Sequence, residues 1–263
     1  YAEHQFDGYY NILNYLNSKI DGFNSITIHK RESNYGAAKN ISISRKHIFQ
    51  DYKSIIVTED DNEFSPNFLD YINQCLSTFE HDPKIFAICG YKHPISIPEN
   101  YHENYFIYKG FSAWGYATWK NKFIEPIYTK KELLEYISVK SNVAELNKIS
   151  NRHYYNTLES IIKNKGRKGD FTFFLNNTKN DTYCIFPTIA KVRNNGHDGS
   201  GINCTKKTDY NIISQPLDDE KDFTLSSKNY FECNEITKRY KKYFTPGWKS
   251  RIKNYLYFLL YKC

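Results

Sequence analysis

Over residues 9–90 the apolar period of the chain switches repeatedly between helical and extended, and that alternation restricts the fold more than any other feature. Tyr9, Ile12, Leu13, Leu16 and Ile20 recur at helical spacing until Asp21-Gly22 breaks the pattern. SITIHKR then alternates as a strand. Asn34-Tyr35-Gly36 reads as a turn into a second helix, followed by KSIIVTEDD, a short apolar strand that ends in three acids and is expected to be buried and parallel. Ser65 and Pro66 supply an N-cap and first-turn proline for a helix with Phe68, Leu69, Ile72, Leu76 and Phe79 on one face, stopped by Asp82-Pro83. KIFAICGY is a further buried strand. Helix and strand in alternation predict an α/β sheet, whose sites lie at the carboxyl ends of its strands.

The rest of the chain is read less sharply. Residues 130–165 are polar and helical, with Leu133, Leu134, Ile137, Leu158, Ile161 and Ile162 as the buried positions. GDFTFFLNN predicts a helix, CIFPTIAKV a strand, and NNGHDGSGINC a glycine-rich loop able to close over a ligand. A length of 263 residues suffices for a real core, and 24 Tyr with 18 Phe make that core depend on rings. The six cysteines form no C-x-x-C pair, which speaks against a zinc knuckle or a dense disulfide framework and fits a reducing, cytoplasmic setting. No run of about eighteen apolar residues is present to span a bilayer. The net charge of +7 suits an anionic partner, although Lys, Asn, Tyr, Phe and Ile also share AT-rich codons.

Chemistry concentrates after the apolar Ile55-Ile56-Val57, where Glu59, Asp60 and Asp61 are adjacent. Three neighbouring carboxylates repel one another, and a hard divalent cation such as Mn²⁺ or Mg²⁺ offsets that cost; the plainer reading is a solvated acidic turn. In SAWGYATWK the Trp114 indole is suited to stack on a sugar face and Gly115 to let a ligand approach the backbone, whereas Trp119 is assigned to the core. His197 is a candidate metal ligand or phosphate contact, set against the commoner solvated loop histidine. Asp170 reads as the N-cap of FTFFLNN.

Four ordered motifs across residues 25–204 carry a resemblance. RESNYGAAKNI resembles an R-x-x-N-x-G turn, IIVTEDDNEFSPNF a V-x-E-D-D strand end followed by S-P-x-F, SAWGYATWK an S-x-W-G-W-A-T-W segment, and NNGHDGSGINC an N-x-G-x-D-G-S-G-T-H-C loop. Together they resemble the GT-A glycosyltransferases, especially the family of N-acetylglucosaminyltransferase I and bacterial family-2-like sugar transferases. The resemblance implies an α/β, GT-A (Rossmann-like), mostly parallel sheet flanked by helices. It also implies metal-dependent, inverting transfer from a nucleotide-diphosphate sugar to a glycan or lipid-linked glycan acceptor. By the same resemblance Asp61 holds the metal, Glu59 and Asp60 touch the donor's hydroxyls, Arg31, Asn34 and Gly36 belong to donor binding, and Asp170 is the base. Two departures stand out: Ile202-Asn203-Cys204 replaces T-H-C, and the family's first strand, which cradles the base, would precede residue 1. With no Met in the sequence, this suggests a trimmed chain.

Residues 1–215 are therefore expected to be the catalytic domain and 216–263 a C-terminal extension. In that extension Trp248, Ile252, Tyr255, Leu256, Leu259 and Leu260 form one apolar face opposite Lys249, Arg251 and Lys253, the pattern of a basic amphipathic helix. It suits either an anionic membrane surface on the cytoplasmic side or packing against protein. Rival readings are an inactive sugar-binding relative and a nucleotidyltransferase; no nucleic-acid-binding motif is present, and none of the partners expected is nucleic acid.

Overall fold

Apolar runs too short for helices, separated by turns, become the strands of one sheet. The structure is a computed structural model that describes residues 6–125, 128–150, 169–196, 215–245, 247–249, 252 and 256. In chain order the described elements are α1 (Phe6–Leu16), α2 (Ala37–Asp51), β1 (Ser54–Val57), β2 (Asn62–Phe64), α3 (Phe68–Phe79), β3 (Ile85–Cys89), β4 (Tyr105–Tyr108) and β5 (Tyr116–Trp119). They continue with α4 (Lys130–Ser138), α5 (Lys140–Ile149), α6 (Asp170–Asn180), β6 (Tyr183–Pro187), β7 (Val192–Asn194) and α7 (Asn234–Phe244).

The main sheet has the order β1-β5-β3-β6-β4, and β2 pairs with β7 in a separate ribbon. Only β3 and β6 pair in parallel among the described strands; β1–β5, β5–β3 and β6–β4 are antiparallel. The expected mostly parallel sheet is thus corrected to a mixed one. β5 lies between β1 and β3 and runs against both, so β1, β3 and β6 still share a direction and end at one edge.

Side chains alternate across this sheet. Phe86, Phe106, Tyr108, Tyr116, Cys184 and Phe186 enter a core with Leu133, Leu146, Phe174, Ile236, Tyr240 and Phe244, from helices α4 to α7. Ile85, Ile88, Tyr105, Ile107, Trp119 and Ile185 face α3 and Phe223 on the other side. Ring packing dominates, as the composition predicts: Tyr108 stacks on Tyr240 at 4.2 Å, a geometry that adds about 0.5–1.5 kcal/mol beyond area burial. Residues 216–245, expected to belong to the C-terminal extension, supply Phe223, Ile236, Tyr240 and Phe244 to these cores.

Several local expectations change. β1 is not fully buried: it ends the described sheet order and leaves Ile56 at 36% exposure. On α3 the buried face is Phe68, Tyr71, Ile72, Cys75 and Phe79, while Leu69 faces solvent. Asn67, not Ser65, occupies its N-cap position, and its side chain makes no cap hydrogen bond. At the other end Lys122 Nζ donates to the Phe79 and Asp82 carbonyls at 2.6 and 2.8 Å, satisfying acceptors the helix leaves open. Leu134 is exposed, whereas Leu133 is fully buried. Leu158, Ile161 and Ile162 lie outside the described residues.

The chain divides into two compact units, Tyr1–Ser42 and Ile43–Cys263. Within the first, Gly22 has φ +92° at the break after α1. SITIHKR forms no strand: Ile26 and Ile28 are exposed and the segment has no ladder partner among the described residues. Asn34 Oδ1 accepts the Gly36 N–H at 2.8 Å, an Asx turn with Gly36 at φ +71°, and Arg31 Nε donates to Asn40 Oδ1 at 2.9 Å. The R-x-x-N-x-G residues thus build the entry to α2.

Candidate active site

The acids stand where the chain leaves the sheet. β1 ends at Val57, two residues before Glu59, so the triplet sits at the carboxyl end of the strand, where α/β sheets place their ligands. The turn then enters β2, and β2 pairs with β7 in the register Asn62↔Asn194, Glu63↔Arg193 and Phe64↔Val192. This ribbon fixes Asp61. Asn194 Nδ2 donates to Asp61 Oδ1 at 2.6 Å, and the Asn195 N–H donates to the Asp61 carbonyl at 2.8 Å. Gly196 follows so closely that a Cβ there would overlap Asp61 Oδ2. Glu63 braces the ribbon by accepting Arg193 Nη2 at 2.6 Å and Asn195 Nδ2 at 3.2 Å, and these bonds hold its carboxyl below the usual range.

Glu59, like Asp61, is half-buried. Burial, reinforced by the charges of Asp61 and then Asp60, raises the Glu59 pKa, so it holds a proton more readily than an exposed glutamate. Asp60 is exposed. The Asn62 carboxamide lies between two backbone amides; with its oxygen turned toward them it accepts from Glu59 at 3.1 Å and Gly115 at 3.3 Å. That amide ties the triplet to the segment before β5.

This second segment is built for close approach. Gly115 has φ +62°, and a Cβ on it would meet Val192 Cγ2 at 2.7 Å. Its carbonyl accepts the Gly90 N–H at 2.7 Å, and Gly90 in turn has no room for a Cβ between Val192 and Phe68. The fold thus requires glycine at both positions to join β3, β5 and β7. Trp114 is half-buried and sets its ring edge-to-face against Tyr91 at 4.6 Å, whereas Trp119 is buried, as expected of a core residue.

Asp170 reaches the same segment from α6. Its Oδ2 accepts the Ala113 N–H at 3.4 Å, one residue before Trp114. The helix begins with Gly169, at φ +94°, in the N-cap position; Asp170 is the first helical residue and not the cap. Its side chain remains exposed, and the favourable end of the helix dipole stabilises its carboxylate. Tyr116, the next residue of the segment after Gly115, has its phenol pushed up to about 12 by burial first, with Asp170 among the lesser causes.

The structure therefore gathers Glu59, Asp60, Asp61, Trp114, Gly115 and Asp170 around one sheet edge. Arg31, Asn34 and Gly36 belong to the first compact unit. His197 lies outside the described residues. Asn194, Asn195 and Gly196, which position Asp61, carry only a loop signal in the sequence, the Asn-Asn-Gly string, which favours tight side-chain and backbone approach.

The donor set fits a hard divalent cation. Adjacent carboxylates follow a strand, and Asp61 is held with one oxygen bonded and a glycine against the other. Among the described residues no group of three or more His, Cys, Asp or Glu forms a cage. A Mg²⁺-type site needs none, since one or two carboxylates commonly share the ion with substrate phosphates and water.

The GNT-I family model matches residues 2–97, a stretch that contains the Asn34–Gly36 turn, the triplet, α3 and β3. None of the curated proteins compared matches the chain. Over residues 2–97 the chain is similar to the family of N-acetylglucosaminyltransferase I, and that similarity relates it to the glycosyltransferases.

Proposed function

We propose that the protein is a metal-dependent, inverting glycosyltransferase that moves a sugar from a nucleotide-diphosphate donor to a glycan or lipid-linked glycan acceptor. The observation that carries this reading is the Asp61 carboxylate held by Asn194 at the carboxyl end of β1, inside the stretch similar to the glycosyltransferase family. Asp61, with Asp60 beside it, would hold Mn²⁺ or Mg²⁺. When bound, the cation neutralises charge on a diphosphate leaving group. Glu59, with its raised pKa, is suited to exchange hydrogen bonds with donor hydroxyls. Trp114 would stack its indole on a sugar face.

Asp170 is the proposed base. It accepts the proton of the acceptor hydroxyl as that oxygen bonds to the anomeric carbon, while the bond from carbon to the phosphate oxygen breaks on the opposite face and the configuration inverts. Its place in the first turn of α6 sets the carboxylate at the favourable end of the helix dipole. His197 as a further metal or phosphate contact, and Arg31, Asn34 and Gly36 as donor-binding residues, rest on the sequence pattern alone. Peripheral attachment to an anionic, cytoplasmic membrane face is proposed for the tail, supported by the exposure of Trp248, Ile252 and Leu256 at four-residue spacing.

A panel of nucleotide sugars tests the proposal. Release of nucleotide diphosphate that needs Mn²⁺ or Mg²⁺ and stops in EDTA is expected; undiminished release in EDTA, or none from any donor with metal present, would contradict it.

A further inference from the structure

Two lysines are buried near the acidic edge, and their surroundings differ in one respect. Lys191 is 2% exposed and forms an ion pair with Asp218, with Asn67 Oδ1 accepting a second bond at 2.9 Å. Lys92, three residues beyond the end of β3, is 7% exposed and has no ion-pair partner among the described residues. Its Nζ donates to the Ile95 carbonyl at 2.8 Å and, more weakly, to the His93 carbonyl at 3.3 Å. An ammonium has three donors, so one is left, and no anion among the described residues neutralises the charge. Burial alone pushes the amine down to about 8, as expected of a cation without a counter-charge.

Lys92 lines a cleft of about 440 Å³, with Ile95, Thr188, Ile189, Gln215 and Pro216 among its walls. That volume lies within the ordinary range of small-molecule sites, about 300–1,000 Å³. Gln215 is 7% exposed, and its Oε1 is buried without a hydrogen-bond partner among the described residues, an acceptor that a ligand's donor would satisfy. Ser96, also on the cleft wall, accepts from Arg239 Nη1 at 2.8 Å, while that guanidinium is itself paired with Glu235 and adds no free charge. The cleft thus presents an unneutralised cation, an unsatisfied acceptor and apolar walls. A ligand that answers all three carries an anionic group, a hydroxyl and a carbon skeleton.

Position points to the acceptor. The wall residue Ala190 leads through Lys191 into β7, whose Asn194 holds Asp61. The walls of the cleft come from the segments that follow β3 and β6, so it lies on the same carboxyl edge of the sheet as the acids after β1. We propose that this cleft is an acceptor-side subsite that binds a carboxylate- or phosphate-bearing sugar through Lys92 and Gln215. The acceptor role rests on the transferase reading; the binding chemistry rests on the cleft.

Calorimetric titration of the full chain with glucuronate, glucose 6-phosphate and glucose tests it. At least one anionic sugar should bind roughly tenfold or more tightly than glucose, consistent with a charge-assisted bond, and the better of the two identifies carboxylate or phosphate as the group. Lys92→Met should abolish that preference. Ile189→Trp, which fills the mouth and leaves the buried lysine untouched, should weaken both anionic sugars and guards against misfolding of the first variant. Equal binding of all three sugars, or a preference that survives both variants, overturns the proposal. The same samples titrated with a panel of nucleoside diphosphates and Mn²⁺ keep the two readings apart: binding of none of them by the wild-type chain overturns the transferase reading, and with it the acceptor role, whatever the sugars do.

Discussion

Asn194 Nδ2 donates a 2.6 Å hydrogen bond to Asp61 Oδ1 across 133 positions of sequence. The β2–β7 register sets this pair directly, because Asn62 opposes Asn194 and Asp61 is the residue just before the ribbon. Residues that orient a metal ligand are commonly worth about 10- to 100-fold in metal affinity. Asn194→Ala should therefore weaken Mn²⁺ binding by about that factor while the circular-dichroism spectrum and melting midpoint stay near those of the wild type. Unchanged Mn²⁺ affinity would show that Asp61 needs no such partner.

Asp170 is tested by removing its charge alone. Asp170→Asn retains an oxygen able to accept the Ala113 N–H and leaves Gly169 as the N-cap, so α6 should form as before. Turnover should drop about 10²- to 10⁴-fold with donor affinity little changed. Single-turnover rates separate the two effects, and normal turnover, or a product of retained anomeric configuration, would remove Asp170 from the role of base.

What could be read in advance follows the range over which each interaction acts. β3, the α6 helix and the burial of Trp119 were legible because continuous apolar runs report burial locally. The antiparallel pairing of β1 was not, because its partner β5 lies some sixty residues on and the Ile55-Ile56-Val57 run looks the same in either direction. α3 rotated its buried face because Tyr71 packs edge-to-face on Phe223 and donates to the Cys89 carbonyl at 3.1 Å, contacts invisible to helical spacing. The acids of the site were legible as a cluster; the groups that hold them, on β7, were not.

Asn67 is the N-cap residue whose side chain serves another purpose, the buried pair of Lys191 and Asp218. The bonds from Lys191, Glu220 and Asn67 outweigh burial and lower the Asp218 pKa. A carboxyl depressed in the folded state contributes stability above its unfolded pKa, about 4, and loses it as the pH falls through the lower folded value. Asp218→Asn leaves a buried cation uncompensated and should cost about 3–5 kcal/mol at pH 7. Urea unfolding measured between pH 7 and pH 3 should show a smaller acid loss in the variant than in the wild type; parallel slopes would exclude Asp218 as a source.

The tail prediction takes its boundary from the core. Ile236, Tyr240 and Phe244 are buried, so deletion should begin after them. A chain lacking residues 247–263 should keep its melting midpoint and lose salt-sensitive binding to vesicles rich in anionic lipid, to which each near-surface Lys or Arg contributes about 1 kcal/mol. Equal binding of the full chain to neutral and anionic vesicles would argue for a protein-packing role instead.

The most direct test of the central claim is Mn²⁺ binding in the presence of each of a panel of nucleoside diphosphates, followed by electron paramagnetic resonance in the wild-type chain and in Asp61→Ala. The account predicts that at least one nucleoside diphosphate tightens Mn²⁺ binding to the wild-type protein, that Asp61→Ala abolishes this, and that the variant unfolds at an unchanged midpoint. Undiminished, nucleotide-dependent Mn²⁺ binding in a folded Asp61→Ala protein would contradict it.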